Sequence, residues 1–176
     1  EIHDKYTGGH SEEVAEFSEA IAEELDLDES KISDAYWAGL VHDIGKLIVP
    51  SVILNKNEDF REEDYEYIKN HPRWAYKSLS ESDRLQDIAE YVLYHHERWD
   101  GEGYPEGIER EEIPLISRIV AVADVYSAMT SDRSYRDALT EAEAIQELKD
   151  NKGKQFDPKI VDVFLKIIKS DINKAI

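Results

Sequence analysis

The stretch ISRIVAVADVYSAM, residues 116–129, is apolar on nearly every side when wound as a helix. It therefore predicts a central helix enclosed by others rather than a surface one. One residue breaks the pattern. Asp124 sets a carboxylate in the middle of this segment, where an unpaired charge is very costly, so something cationic must meet it.

Working outward, apolar residues recur at helical spacing almost everywhere, as at Val14, Phe17, Ile21 and Leu25, and convincing strand alternation is missing. The expected fold is all-α: a single compact bundle of seven or eight helices. Beyond the first helix, further ones are expected over 28–45, 62–70, 73–80, 84–98, 114–130, 140–151 and 158–169. Their ends carry stop and start signals: Thr140 with Glu143 reads as a capping box, Gly153 as a stop, and Asp157-Pro158 as an N-cap followed by proline at the first helical position. No repeat, low-complexity segment or linker divides the chain, so 1–176 reads as one domain.

The composition narrows the function classes. The 176 residues include 40 acidic against 21 basic, a formal charge of -19, which argues against a DNA or RNA duplex as partner because such binding neutralises phosphates with Lys and Arg. There is no cysteine, so disulfides, thiolate metal sites and cysteine nucleophiles are excluded together. No apolar run reaches transmembrane length and no signal peptide is visible, so a cytoplasmic protein without direct membrane contact is expected. The first residue is Glu1 rather than methionine, as expected of a domain cut from a longer signalling protein.

Histidines recur on apolar faces. His10, Val14, Phe17 and Ile21 share one stripe; Ile32, Ala35, Gly39 and His42 share another; Ile88, Val92 and His95 a third, with His96 beside them. Taken singly, each reads as an ordinary hydrogen-bonded core residue. Together, five of the six histidines (His10, His42, His71, His95, His96) occupy helix positions able to converge with Asp43 and Asp124. Imidazoles and carboxylates without thiolates suit Fe, Mn, Zn or Ni, and seven ligands exceed what one ion needs, so two metals are expected. Adjacent histidines lie about 100° apart on a helix, which would let one ion collect both His95 and His96.

The elements DKYTGGHSEEVA, LVHDIGKL, IKNHP, YHHERWDGEGYPEG, IPLISRIVAVADVYSAMTSDRSYRDA and GKQFDPKIVDVF follow one another in an order that resembles the HD-GYP family of the HD phosphohydrolase superfamily. The resemblance covers nearly the whole chain. It implies a helical domain whose dinuclear metal centre, iron or manganese first, hydrolyses cyclic di-GMP to linear pGpG with a metal-bridging hydroxide as nucleophile. Carried over, it implies one ion on His10, His42 and Asp124, the other on His71, His95 and His96, and Asp43 bridging both. Lys46 would reach a non-bridging phosphate oxygen, making Asp43 and Lys46 the catalytic pair. Tyr104, Arg133 and Arg136 would contact the ligand, and the glycine-proline loop is expected to border the ligand site and to meet a diguanylate cyclase domain. The acidic surface does not oppose a dianionic ligand, because remote charges are screened within a Debye length of about 8 Å.

The sequence departs from the family at two places. Relatives that hold a third metal carry carboxylates where Tyr6 and Ser127 stand, so a third ion is not expected; and NKNEDFREEDYEYIKNHP lacks the usual glycine and threonine before His71. Two other functions compete: another HD-superfamily phosphohydrolase acting on a nucleotide or a different cyclic dinucleotide, and a catalytically idle module that binds ligand or partner.

Overall fold

The computed structural model describes residues 9–54, 56, 61–132 and 138–174. Among these, the regular structure is helical, with one isolated bridge between Lys152 and Phe156. The α-helices are α1 (His10–Glu24), α2 (Glu29–Val41), α3 (Ser51–Leu54), α4 (Glu62–Ile68), α5 (His71–Leu79), α6 (Gln86–Leu93), α7 (Leu115–Thr130), α8 (Glu141–Asp150) and α9 (Pro158–Lys174). Three short 3-10 helices accompany them, at Ile44–Ile48, Asp83–Leu85 and Arg110–Glu112.

The segment that opened the sequence reading is the central element: α7 packs against α1, α2, α6, α8 and α9. Ile116, Ile119, Val120, Val122 and Ala123 are all buried there, and a fully buried Ile or Val contributes about 1.5–3 kcal/mol through removal from water. Phe17 of α1, Tyr126 of α7 and Phe164 of α9 meet edge to face with ring centres 4.9 to 5.5 Å apart, which ties three helices at one end of the core. Gly39 lets α2 approach α1, since a Cβ at that position would lie 2.9 Å from the Cα of Ala15.

The expected caps form. Thr140 and Glu143 exchange side-chain-to-backbone hydrogen bonds at the start of α8, Asp157 accepts from the Lys159 N–H at 2.8 Å, and Gly153 follows α8 with φ at 77°. Two expected helices end early. The helix expected over 28–45 stops at Val41 and resumes as the 3-10 helix Ile44–Ile48, and the one expected over 84–98 stops at Leu93, with Tyr94 at φ -104°, ψ 9°. The apolar period runs through the first break and hides it in the sequence: Ile44, Leu47 and Ile48 continue the spacing yet stand 38 to 50% exposed. These breaks put His42, Asp43, His95 and His96 just beyond helix ends rather than inside helices.

Candidate metal centre

Three of the histidines are seated in one way. His42 follows the end of α2 and its Nδ1 lies 2.6 Å from the Gly39 carbonyl; His71 follows α4, with Nδ1 2.9 Å from the Ile68 carbonyl; His95 follows α6, with Nδ1 2.6 Å from the Val92 carbonyl. The last carbonyls of a helix have no intrahelical donor. Each imidazole supplies one through Nδ1–H, and that bond fixes the neutral tautomer, in which Nε2 carries the lone pair.

Those Nε2 atoms converge. Ring centres of His10 and His42 are 5.5 Å apart, His42 and His95 5.4 Å, His71 and His95 5.3 Å, and His71 and His96 5.0 Å. Asp43 stands between two groups: its Oδ2 is 3.4 Å from His42 Nε2, and its Oδ1 is 3.3 Å from His71 Nε2. Asp124 Oδ1 is 3.1 Å from His10 Nε2 and 3.7 Å from His42 Nε2, so the carboxylate flagged in the central helix meets imidazoles. The close approach of α5 depends on Gly45, where a Cβ would sit 1.9 Å from the His71 carbonyl oxygen.

His95 and His96 do not use the helical offset expected of neighbours. They lie in the turn after α6, ring centres 4.0 Å apart and 40° from parallel. The turn, rather than a helix face, aims both at the cluster.

Electrostatics divides the metal-free cluster into neutral imidazoles, anions and one imidazole, His42, that the anions hold protonated. Burial, with His96 and His71 nearby, holds His95 well below its ordinary value, and burial with His71 brings His96 down to about 3. Both are therefore neutral at pH 7. Burial would lower His42 as well, but Asp43 and Asp124 outweigh it and raise that imidazole to about 9. Burial pushes Asp43 up, yet Lys46 and His42 prevail and keep it well below the carboxylate range; Asp124 is likewise low because His10 and His42 outweigh its burial.

The residues fit a pair of divalent cations. Two sets of donor atoms, His10, His42 and Asp43, and Asp43, His71, His95 and His96, each lie within 4.8 Å of one another and share Asp43. Nε2 of His42, His71 and His95 and Oδ1 of Asp43 are buried without a hydrogen-bond partner among the described residues. Each such orphan costs about 1–3 kcal/mol, and cations between them would satisfy all four. The donors are nitrogen and oxygen only, which suits Fe, Mn, Zn or Ni.

The surrounding residues form a cleft of roughly 170 Å³ lined by His95, His96, Tyr104, Asp124, Val125 and Gln155, among others. Lys46 reaches Asp43 Oδ2 at 2.6 Å. Tyr104 stacks on His96, centres 4.8 Å apart at 30°, and its N–H donates to the His96 carbonyl at 3.2 Å. Gly103 makes this possible, because a Cβ there would lie 2.4 Å from the Arg98 nitrogen. Arg133 and Arg136, and Tyr6 with them, lie outside the described residues.

Three residues that shape the site escaped the sequence reading. Glu97, 3% exposed, accepts from the backbone N–H groups of Glu106 and Gly107 at 2.6 and 3.0 Å and so pins the loop. Arg73 of α5 clamps the same loop through the Pro105 carbonyl at 3.0 Å and Glu106 at 2.9 Å. Glu13 touches Ser127, which touches His10. The only available signals were spacings: Arg73 two residues after His71, Glu97 directly after His96, and Glu13 one helical turn after His10.

Comparison with known proteins gives one consistent family. The HD domain family profile matches residues 1–160. The chain is 41% identical to a cyclic di-GMP phosphodiesterase of Thermotoga maritima over 96% of this chain and 46% of that protein. It is 39% identical to a cyclic di-GMP phosphodiesterase of Pseudomonas aeruginosa over 94% of this chain and 40% of that one. It thus spans less than half the length of these relatives. A cyclic GMP-AMP-specific phosphodiesterase of Vibrio cholerae shares the fold, with a TM-score of 0.71 at 24% identity over 93% of this chain and 45% of that one. Among the described residues, no helix is long and apolar enough to cross a membrane.

Proposed function

Because this chain belongs to the HD domain family, we propose that its buried cluster is a dinuclear metal centre that hydrolyses cyclic di-GMP to linear pGpG. The observation that carries this reading is the pair of donor sets sharing Asp43, one carboxylate oxygen turned to each. That two relatives at 41% and 39% identity are cyclic di-GMP phosphodiesterases supports the substrate.

Two divalent cations held there, iron or manganese first, supply Lewis acidity that makes water a nucleophile near neutral pH and offsets charge on the phosphoryl oxygens. The chain's own residues do the rest. His10, His42 and Asp124 would hold one cation and His71, His95 and His96 the other, with Asp43 available to both. Lys46 sits beside Asp43 and is 38% exposed, so its ammonium can turn from that carboxylate to a non-bridging phosphate oxygen. Burial and the nearby Asp124 and Asp43 raise the Tyr104 hydroxyl well above its ordinary value, so it stays protonated and donates to a bound ligand. The cleft of roughly 170 Å³ beside the cluster is where the reacting phosphodiester would enter. Arg133 and Arg136 belong to the same proposal as base or phosphate contacts, as does a cytoplasmic setting.

The test is anaerobic purification, elemental analysis, and turnover of cyclic di-GMP, cyclic GMP-AMP and cyclic di-AMP side by side. We expect about two metals per chain and fastest turnover of cyclic di-GMP. Active protein with a stoichiometry near zero defeats the dinuclear centre; a clear preference for cyclic GMP-AMP keeps the chemistry and moves the substrate.

A further inference from the structure

His10 is the exception among the seated histidines. It is the first residue of α1, and its Nδ1 partner among the described residues is a side chain. That Nδ1 lies 2.8 Å from Ser127 Oγ, a fully buried hydroxyl on α7 one turn beyond Asp124. Ser127 Oγ in turn donates to Glu13 Oε2 at 2.7 Å.

The direction of these bonds is dictated by chemistry. A carboxylate accepts and has no proton to give, so the Ser127 proton points to Glu13. The serine oxygen is then left with lone pairs only and must accept from His10, which places the imidazole proton on Nδ1. Nε2 then faces Asp124 Oδ1 at 3.1 Å, where a proton lies between them in the metal-free protein and a metal cation could take its place.

We propose that Glu13 and Ser127 form a polarity relay that fixes His10 as the Nδ1–H tautomer and so builds one of the two cation subsites. Ser127 is thus a positioning residue, doing for His10 what helix-end carbonyls do for His42, His71 and His95. The inference rests on the dinuclear reading above. It adds that the two subsites have supporting shells of different kind, one partly dependent on side chains and the other not.

The experiment has two readouts. Nitrogen-detected histidine NMR of the metal-free protein reports the His10 tautomer, and cobalt(II) titration monitored by absorbance reports the two subsites separately. In the unsubstituted protein we expect His10 with a proton on Nδ1. Ser127→Ala removes the acceptor, and we expect that proton to be lost, leaving Nε2 alone protonated, together with about 10- to 100-fold weaker binding of one cobalt, the other unchanged. Glu13→Gln, at an exposed position, should shift the tautomer in the same direction without loss of folding, and Ser127→Thr should restore both readouts. Retention of the Nδ1 proton in Ser127→Ala overturns the relay, as does equal weakening of both cobalt sites. If the unsubstituted protein takes up no cobalt, the dinuclear reading fails, while the metal-free tautomer still decides the relay.

Discussion

Gly45→Ala tests whether the centre depends on backbone contact rather than on ligand identity alone. The new Cβ would begin 1.9 Å from the His71 carbonyl oxygen, 2.8 Å from its carbonyl carbon and 2.9 Å from the Ala75 nitrogen. Real Cβ contacts essentially never fall below 3.0 Å, so the start of α5 and the 3-10 helix must part by at least about 1.1 Å. The neighbours that must give way are backbone atoms, which cannot rotate aside. That separation comes on top of the 3.3 Å between His71 Nε2 and Asp43 Oδ1 and carries the two ligands apart. A displacement of about 1 Å at a reacting centre can cost about 10²-fold in rate, and overpacking of this kind costs about 1–3 kcal/mol in stability. We therefore expect a folded protein with a melting temperature lowered by several degrees, roughly one metal in place of two, and about a hundredfold slower hydrolysis of cyclic di-GMP. Thermal unfolding, elemental analysis and steady-state rates measure the three effects. Two retained metals with unchanged turnover would refute the view that Gly45 sets the distance between the ligand groups.

The other expectations are shorter. Asp43→Ala should lose activity and weaken both cation sites, whereas Lys46→Ala should keep its metals and lose about 10² to 10³ in rate; the opposite pattern of metal contents would overturn these roles. Chelation should lower the melting temperature and readdition of manganese restore it, because cations that bind only the folded chain stabilise it; an unchanged melting curve counts against the four orphaned donor atoms as cation ligands. Glu97→Ala removes the acceptor for the Glu106 and Gly107 N–H groups and should raise KM for the dinucleotide with metal content intact, so metal loss would place Glu97 elsewhere in the scheme. Cyclic di-GMP digests should accumulate pGpG with slow appearance of GMP, since neither Tyr6 nor Ser127 offers a carboxylate for a third cation; rapid complete conversion to GMP under limiting enzyme argues the reverse.

The helical class and the central place of α7 were legible because its apolar residues have no polar side to show solvent, and Asp124 was legible as a residue needing a cationic neighbour for the same reason. The capping signals at Thr140 and Asp157 were legible because each is a local pattern of three or four residues. The helix breaks were not. VHDIGKL contains no proline, and its apolar spacing passes smoothly through the 3-10 turn, so periodicity alone joins what the structure separates. The relation of His95 to His96 was misread from the same cause: a helical offset was inferred where the chain has already turned. Glu97, Arg73 and Glu13 were invisible because acidic and basic residues fill this surface, and only three-dimensional contact distinguishes a pinned carboxylate from a solvated one.

The breaks explain why the ligands are where they are. A histidine inside a helix has its carbonyl neighbours already bonded, so its Nδ1 must compete or go without. Just past a helix end those carbonyls are orphans, and one bond meets two needs: Gly39, Ile68 and Val92 gain donors, while His42, His71 and His95 gain a fixed tautomer. The negative end of the helix dipole also lies there and favours positive charge nearby, by about 0.3–1 kcal/mol for each helix at exposed sites. Three helix ends gathered around two carboxylates thus make a cation site from backbone geometry, and the clustering of imidazoles leaves Nε2 of His42, His71 and His95 without a hydrogen-bond partner among the described residues. On this view, termination of α2, α4 and α6 beside their ligands is part of the site itself. Restoring helix through residues 42–43 or 94–96 would cost the centre more than replacing one neighbouring apolar residue, because it would return each carbonyl to an intrahelical donor and release the imidazole it now holds.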